Sequence, residues 1–326
     1  MALGLFNGNS ALEKEGAICY YKKMYYIIAN LLSGKGAGKK CLETAEKFLT
    51  QNNLPFKTEI INGHGSGRAL AQKACQEAKD AQAKNAAASN DSGSPSGAGA
   101  FHTVIAIGGD GTFHEVLNGM DFSAARLGLV PAGRGNDYAV GAKISFDPKE
   151  AMQAIVHGKP VDRDYIQVGD RRCLNVCGTG LDVEVLKLTE ENKNTYIFSL
   201  SKLLLNYKPY TVQVERDGWT QEYKCVMAAF CNGTQFGGGI KLCPPAKNDD
   251  GKMDLMIVKP PKGPVLMAMP AFVAGQHIGK PWAEHVVCDA AKIAVLNAAA
   301  IEIDGEIYND SVLDARIVPG GFKTFA

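Results

Sequence analysis

The chain has 326 residues, 46% hydrophobic and 21% charged, which is enough apolar mass for more than one core and unlike the composition of a disordered protein. Lys and Arg number 35 against 34 Asp and Glu, so the net charge of +1 offers no global basic field for nucleic acid, and an anionic partner has to be met locally. No apolar run is long enough to span a bilayer, the first six residues lack the basic flank of a signal peptide, and the nine cysteines show neither a CxxC pair nor zinc spacing, which together predict a cytoplasmic protein with buried free thiols.

Residues 1–23 read as an N-terminal extension. From Tyr25 onward, β-rich apolar runs at 25–29, 56–61, 103–107 and 127–130 alternate with helical patterns at 39–50 and 66–78. That rhythm predicts an α/β domain with a parallel sheet over 24–160. Residues 84–100 are rich in Ala, Ser and Gly, have little to bury, and are expected to form a flexible surface insertion. Asp147 before Pro148 reads as an N-cap opening a helix through Val156.

Beyond Pro160 the pattern changes to strands without long intervening helices. Runs at 211–215 and 223–226 flank Asp217-Gly218 as a hairpin, and 253–258, 292–296 and 300–304 add further strands. An antiparallel β-sandwich over 161–326 is expected. Two helical stretches, 196–207 and 264–273, carry apolar stripes that suit a lipid or, more commonly, a core.

The chemistry concentrates in turns that follow the first-domain strands. After the buried strand at 103–107 comes Gly108-Gly109-Asp110-Gly111-Thr112, and then a helical run. Glycines permit close backbone approach, and the amides of a helix N-terminus suit a phosphate. Asp110 would repel that phosphate unless a cation such as Mg²⁺ lay between them. A second turn, Gly133-Arg134-Gly135-Asn136-Asp137, follows the next strand, and two such loops at neighbouring strand ends can grip one nucleotide. The segment after the first strand, Asn30 to Gly36, lacks the glycine and the hydroxyl residue that a Walker A loop requires.

These segments resemble the diacylglycerol kinase catalytic family, which includes bacterial lipid kinases, sphingosine kinases and ceramide kinase. The resemblance rests on the Gly-Gly-Asp-Gly-Thr turn followed by Glu115 and Asn118, and on the loop from Gly133 to Asp137. It continues through Gly178 to Asp182, Phe236 to Gly239, Pro244 to Ala246, and Ile303 to Glu306, in family order. It implies an ATP-dependent lipid kinase whose cleft lies between two domains, with peripheral contact to a membrane that supplies the lipid. The last residues would return to the first domain, and a homo-oligomer is compatible with the sequence.

The family pattern also places Asn30, Ser33 and Gly34 at the nucleotide, although Leu31 replaces the usual proline between them. Arg134 stands where threonine is common, and it suits either a phosphate or open solvent. The resemblance makes Glu306 the base that accepts the lipid hydroxyl's proton, with Asp110 as the competing candidate. Asp250, with backbone oxygens of Lys247 and Lys252, matches a structural Mg²⁺ turn of the family; by residue type alone it is a plain Asp-Gly turn. NAD kinase shares the glycine turn and is the competing enzyme. A lipid- or nucleotide-binding protein without activity is the competing class.

Overall fold

A computed structural model describes residues 23–90, 101–192, 208–262, 265–297 and 300–326. The N-terminal extension, apart from Lys23, and the helical stretch expected at 196–207 lie outside those residues.

In the first half, β1 (Tyr25–Ala29), β2 (Phe56–Ile60), β3 (His102–Gly108) and β4 (Ala125–Pro131) form a parallel sheet in the order β2-β1-β3-β4. Five helices accompany them: α1 (Ser33–Gln51), α2 (Ser66–Asn90), α3 (Asp110–Gly119), α4 (Asp137–Gly141) and α5 (Pro148–His157). Alternation along β1 decides the layers. Tyr25, Ile27 and Ala29 pack with Leu42, Leu49 and Met152 from α1 and α5, whereas Tyr26 and Ile28 pack with Ala74, Phe113 and Leu117 from α2 and α3. All seven residues of β3 are buried, as befits a central strand covered on both faces.

Two helices depart from their sequence patterns. Helix α2 runs on to Asn90, so 84–90 of the expected insertion continues it. Ala86, Ala87 and Ala88 are the strongest helix formers available, which suits a continuing helix. Helix α1 begins at Ser33, earlier than its apolar stripe, but Gly34, Lys35 and Gly36 take left-handed angles before regular helix resumes. The Asp147 cap is as expected, with its carboxylate accepting from the Lys149 amide at 2.7 Å.

The second half is a sandwich of two six-stranded antiparallel sheets. One contains β5 (Val161–Val168), β6 (Arg171–Cys173), β8 (Tyr210–Arg216), β9 (Trp219–Cys225), β13 (Ala290–Val295) and β16 (Val312–Thr324). The other contains β7 (Val176–Gly180), β10 (Met227–Cys231), β11 (Met253–Val258), β12 (Ala283–Cys288), β14 (Ile301–Ile303) and β15 (Glu306–Tyr308). Val212, Val214, Phe230, Leu255, Ile293 and Leu313 meet between the sheets. Burying each such side chain is worth about 1.5–3 kcal/mol, so this layer holds the domain together. Helix α6 (Leu181–Asn192) and α7 (Met269–Val273) cover the outer face of the second sheet, where Phe272 is buried and Met269 half-buried as core.

Strand β16 links the halves. Its register against β5 shifts between Val318 and Phe322, after which Phe322 and Phe325 enter the two cores of the first half. The Lys23 ammonium lies over the Phe325 ring at 5.4 Å and so closes the first half against the chain's end. Eight cysteines among the described residues are buried and unbridged. No helix among those residues is long and apolar enough to cross a membrane.

Candidate active site

The loops after β1, β3 and β4 converge at the carboxyl edge of the parallel sheet. The Ala132 amide donates to the Gly108 carbonyl at 2.7 Å, joining the two glycine turns. Gly109 and Gly133 then approach so closely that a Cβ on Gly133 would lie 2.5 Å from the Gly109 Cα. Gly133 therefore has no room for a side chain, and one on Gly109 would press on the Gly133 Cα at 3.0 Å. Asn136 takes a left-handed φ of 50° and folds its amide onto its own loop, accepting from the Gly133 N–H at 2.8 Å and donating to the Gly133 carbonyl at 3.1 Å. From the first loop, Asn30 accepts from the Leu32 amide at 3.1 Å and reaches Thr112 Oγ1 at 3.5 Å.

A cleft of about 430 Å³ opens over these turns, lined by Asn30, Ser33, His64, Gly109, Thr112 and Glu306 among others. Glu306 alone comes from the sandwich. Asp304 and Gly305 take positive φ angles of 52° and 88°, turning β14 into β15 and carrying Glu306 across the gap. A Cβ on Gly111 would lie 3.7 Å from Glu306 Oε1, so this carboxylate stands at the first turn of α3.

Asp110 opens α3, and its carboxylate accepts from the Tyr138 amide at 3.2 Å. Burial, reinforced by the adjacent Asp137 carboxylate, pushes its pKa up to about 6. The half-buried Asp110 and buried Asp137 carboxylates over backbone amides make a site that a cation would relieve. Asp137 is also tied to the second half: it accepts from Gln235 Nε2 and from the Gly238 amide, both at 2.8 Å.

Glu115 lines the cleft, yet its oxygens are already engaged. They accept from the Gly65 amide at 2.8 Å and the Gly67 amide at 2.7 Å, holding the loop that opens α2. Asn118 grips the sandwich by accepting from the Arg172 amide at 2.8 Å and donating to its carbonyl at 2.9 Å. Arg134 is exposed. At the far turn, Asp250 accepts from the Lys252 amide at 3.1 Å. The buried Asp164 holds that turn through the Gly251 and Gly320 amides, each at 2.7 Å, and none of these residues lines the cleft that Glu306 enters.

Three groups went unread in the sequence. His64 spans the cleft mouth, 3.5 Å from Glu115 and 3.4 Å from Glu306. The buried His114 and the Arg172 guanidinium lock α3 to the sandwich, with Arg172 donating to the Leu117 and Met120 carbonyls at 2.9 and 2.7 Å. An arginine at a helix C-terminus is a legible signal only when the two segments are known to meet.

A parallel sheet edged with glycine turns, facing a carboxylate delivered by a β-sandwich, defines a two-domain nucleotide-dependent kinase fold. Comparison with known proteins agrees: residues 24–168 match the Diacylglycerol kinase catalytic domain, and residues 175–326 match the YegS C-terminal NAD kinase beta sandwich-like domain. The chain is 32% identical over 243 residues to the "Probable lipid kinase YegS-like" of Xanthomonas euvesicatoria pv. vesicatoria, covering 68% of this chain and 78% of that protein. A protein of the same name from Enterobacter sp. is 27% identical over 238 residues, covering 70% and 72%. The fold is shared with a diacylglycerol kinase from Bacillus anthracis str. Sterne, with a TM-score of 0.68 at 22% identity over 93% of this chain and 96% of that one. The chain belongs to the YegS-like lipid kinase family, within the group that carries the diacylglycerol kinase catalytic domain.

Proposed function

We propose that this protein transfers the γ-phosphoryl group of ATP to the hydroxyl of a membrane lipid, diacylglycerol or a close relative. The observation that carries the reading is that Glu306, supplied by the sandwich, lines the cleft against Gly109 and Gly111, the two residues that flank Asp110 in the first domain. In this reading the phosphates lie against the Gly109 and Gly133 turns, whose missing Cβ atoms let the two loops close on each other and form one edge. Asn30, Ser33, Gly34, Thr112, Gly135 and the amides beside Asn136 complete the cradle.

Asp110, beside Asp137, holds Mg²⁺, which neutralises phosphate charge. Glu306 accepts the proton of the lipid hydroxyl as the phosphoryl group leaves ATP. Its place at the sandwich edge suits that role, because an acceptor approaching from the second domain meets this carboxylate first. Glu115 shapes the loop at 61–67 and acts through it. The Asp250 turn serves as a second, structural Mg²⁺ position with the carbonyls of Lys247 and Lys252, supported by the fixed shape that Asp164 imposes.

A narrow apolar pocket beside Leu181, Met227, Phe236, Met269 and Trp282 supports a lipid acceptor, since Phe236 begins the loop whose Gly238 amide meets Asp137. The enzyme meets its substrate at the bilayer surface by peripheral contact.

The test is phosphoryl transfer from γ-labelled ATP into mixed micelles bearing diacylglycerol, monoacylglycerol, a sphingoid base or a polyprenol, with NAD as a soluble acceptor. Label in diacylglycerol that depends on Mg²⁺ is the expected result. Label in NAD alone, or in no acceptor, overturns the reading.

A further inference from the structure

The outer face of the second sheet carries a cluster that the kinase reading does not use. Cys231, Asp254 and His285 come from three adjacent strands, β10, β11 and β12, and Cys231 stands opposite Asp254 in the ladder. Cys243 arrives from the loop after β10. Its thiol, an Asp254 carboxylate oxygen and a His285 ring nitrogen all lie within 4.8 Å of one another. Cys243 and Asp254 are buried, while His285 is half-buried.

We propose that Cys243, Asp254 and His285 bind a zinc ion that staples the loop after β10 to the sheet. Thiolate, imidazole and carboxylate are the donor types zinc takes, and this mixture favours it over Mg²⁺ or Ca²⁺, which prefer oxygen alone. Charge agrees as well: a thiolate and a carboxylate balance Zn²⁺, so the filled site is neutral where it is buried. A water entering past His285 completes four-coordination and keeps the site neutral.

The geometry requires a small adjustment. His285 Nε2 lies 2.6 Å from Asp254 Oδ1 as a hydrogen bond. Two tetrahedral ligands at about 2.0 Å from zinc stand about 3.3 Å apart, so these atoms must separate by about 0.7 Å. The half-buried imidazole can supply that movement by rotation. Zinc would displace the proton they share, as metal binding at such a cluster must.

The staple has a structural consequence. Phe236 and Ile240 pair as an isolated bridge, closing the Gly237 to Gly239 turn, and the Cys243 amide donates to the Thr234 carbonyl at 3.2 Å. Gly238 in that turn donates to Asp137. An ion on Cys243 therefore fixes the far end of the loop that touches the nucleotide cleft. The sequence hides the cluster, because its ligands stand 11 and 31 residues apart (243 to 254, 254 to 285) and match no zinc-finger spacing.

The test uses the full chain, reduced and freed of metal by dialysis against a chelator, then titrated with Zn²⁺ against a chromophoric competitor, with metal content measured by mass spectrometry. One tightly held zinc per chain is expected. Removing a ligand should weaken binding by more than about a hundredfold, beyond what loss of an outer-shell partner costs. Cys243→Ser and His285→Asn should each do so, and Cys75→Ala, at a distant buried thiol, should not. Loading with Co²⁺ should give a thiolate-to-cobalt charge-transfer band that Cys243→Ser removes. Circular dichroism checks the fold of each variant, and Asp254→Asn, which preserves side-chain size, provides a third ligand test. Zinc bound equally well by all the variants, or not bound by the parent, overturns the proposal.

Discussion

The carboxylate of Asp304 lies 3.0 Å from the Nδ1 of His114, both side chains almost fully buried where α3 meets the sandwich. The same carboxylate accepts the amides of Leu174 and Asn175 at 2.8 Å each. One residue thus sets the angle between the domains and begins the turn that carries Glu306.

Asp304→Asn should therefore destabilise the protein by about 1–3 kcal/mol, because the amide cannot accept from His114 and both backbone amides as the carboxylate does, and leaves a buried donor unsatisfied. Denaturant unfolding measures it. Turnover should fall with it under conditions where the variant stays folded, because Glu306 loses its fixed approach to Gly111.

Glu306→Gln keeps size and hydrogen-bonding reach but removes basicity. A drop in turnover of about a hundred- to ten-thousandfold is expected, with ATP affinity within a few-fold of the parent. Normal turnover would shift the base to Asp110, whereas lost ATP affinity with turnover intact would make Glu306 a ligand of the nucleotide's metal.

Asp110→Asn should abolish lipid phosphorylation at saturating Mg²⁺ while leaving the fold intact. Removing its charge relieves the repulsion from Asp137, so the ligand-free variant should melt no lower than the parent. A clear fall in melting temperature would show that the carboxylate serves packing.

Glu115→Ala leaves the Gly65 and Gly67 amides without their acceptors. Hydrogen exchange at 63–67 should accelerate, and the KM for ATP should rise more than kcat falls. Unchanged exchange would count against an anchoring role.

Asp182 at the start of α6 and Glu302 on β14 form a buried acidic pair. Burial pushes Asp182 from 3.8 up to about 7 and pushes Glu302 well above its usual range, with the mutual charge adding to the latter. Between pH 4 and 7 the native state keeps a proton that the unfolded chain has released. This pair's contribution to stability is therefore greatest below pH 4 and is lost as pH rises through 7. Asp182→Asn should raise the melting temperature at pH 8 and have little effect at pH 4.

Local signals sufficed for much of this molecule. Alternating apolar runs and Ala-rich helical stripes determine β1 to β4 and their covering helices, and Asp217-Gly218 determines its hairpin, because each depends on neighbours a few residues away. The glycine turns at Gly109 and Gly133 were legible for the same reason. Strand β16 was not, since its polar stretch around Gly320 looks like a loop until β5 provides its ladder. Glu115 illustrates the limit for the site. Its place in a nucleotide motif is visible in the sequence, but its occupation by two amides exists only once α2 begins beside it. His114, Arg172 and Asp304 lie in three separate segments, and only in the domain seam does His114 meet Asp304 and Arg172 meet the last carbonyls of α3. Tertiary structure decides such roles because a charge acquires its partner, and its desolvation, only when the chain closes around it.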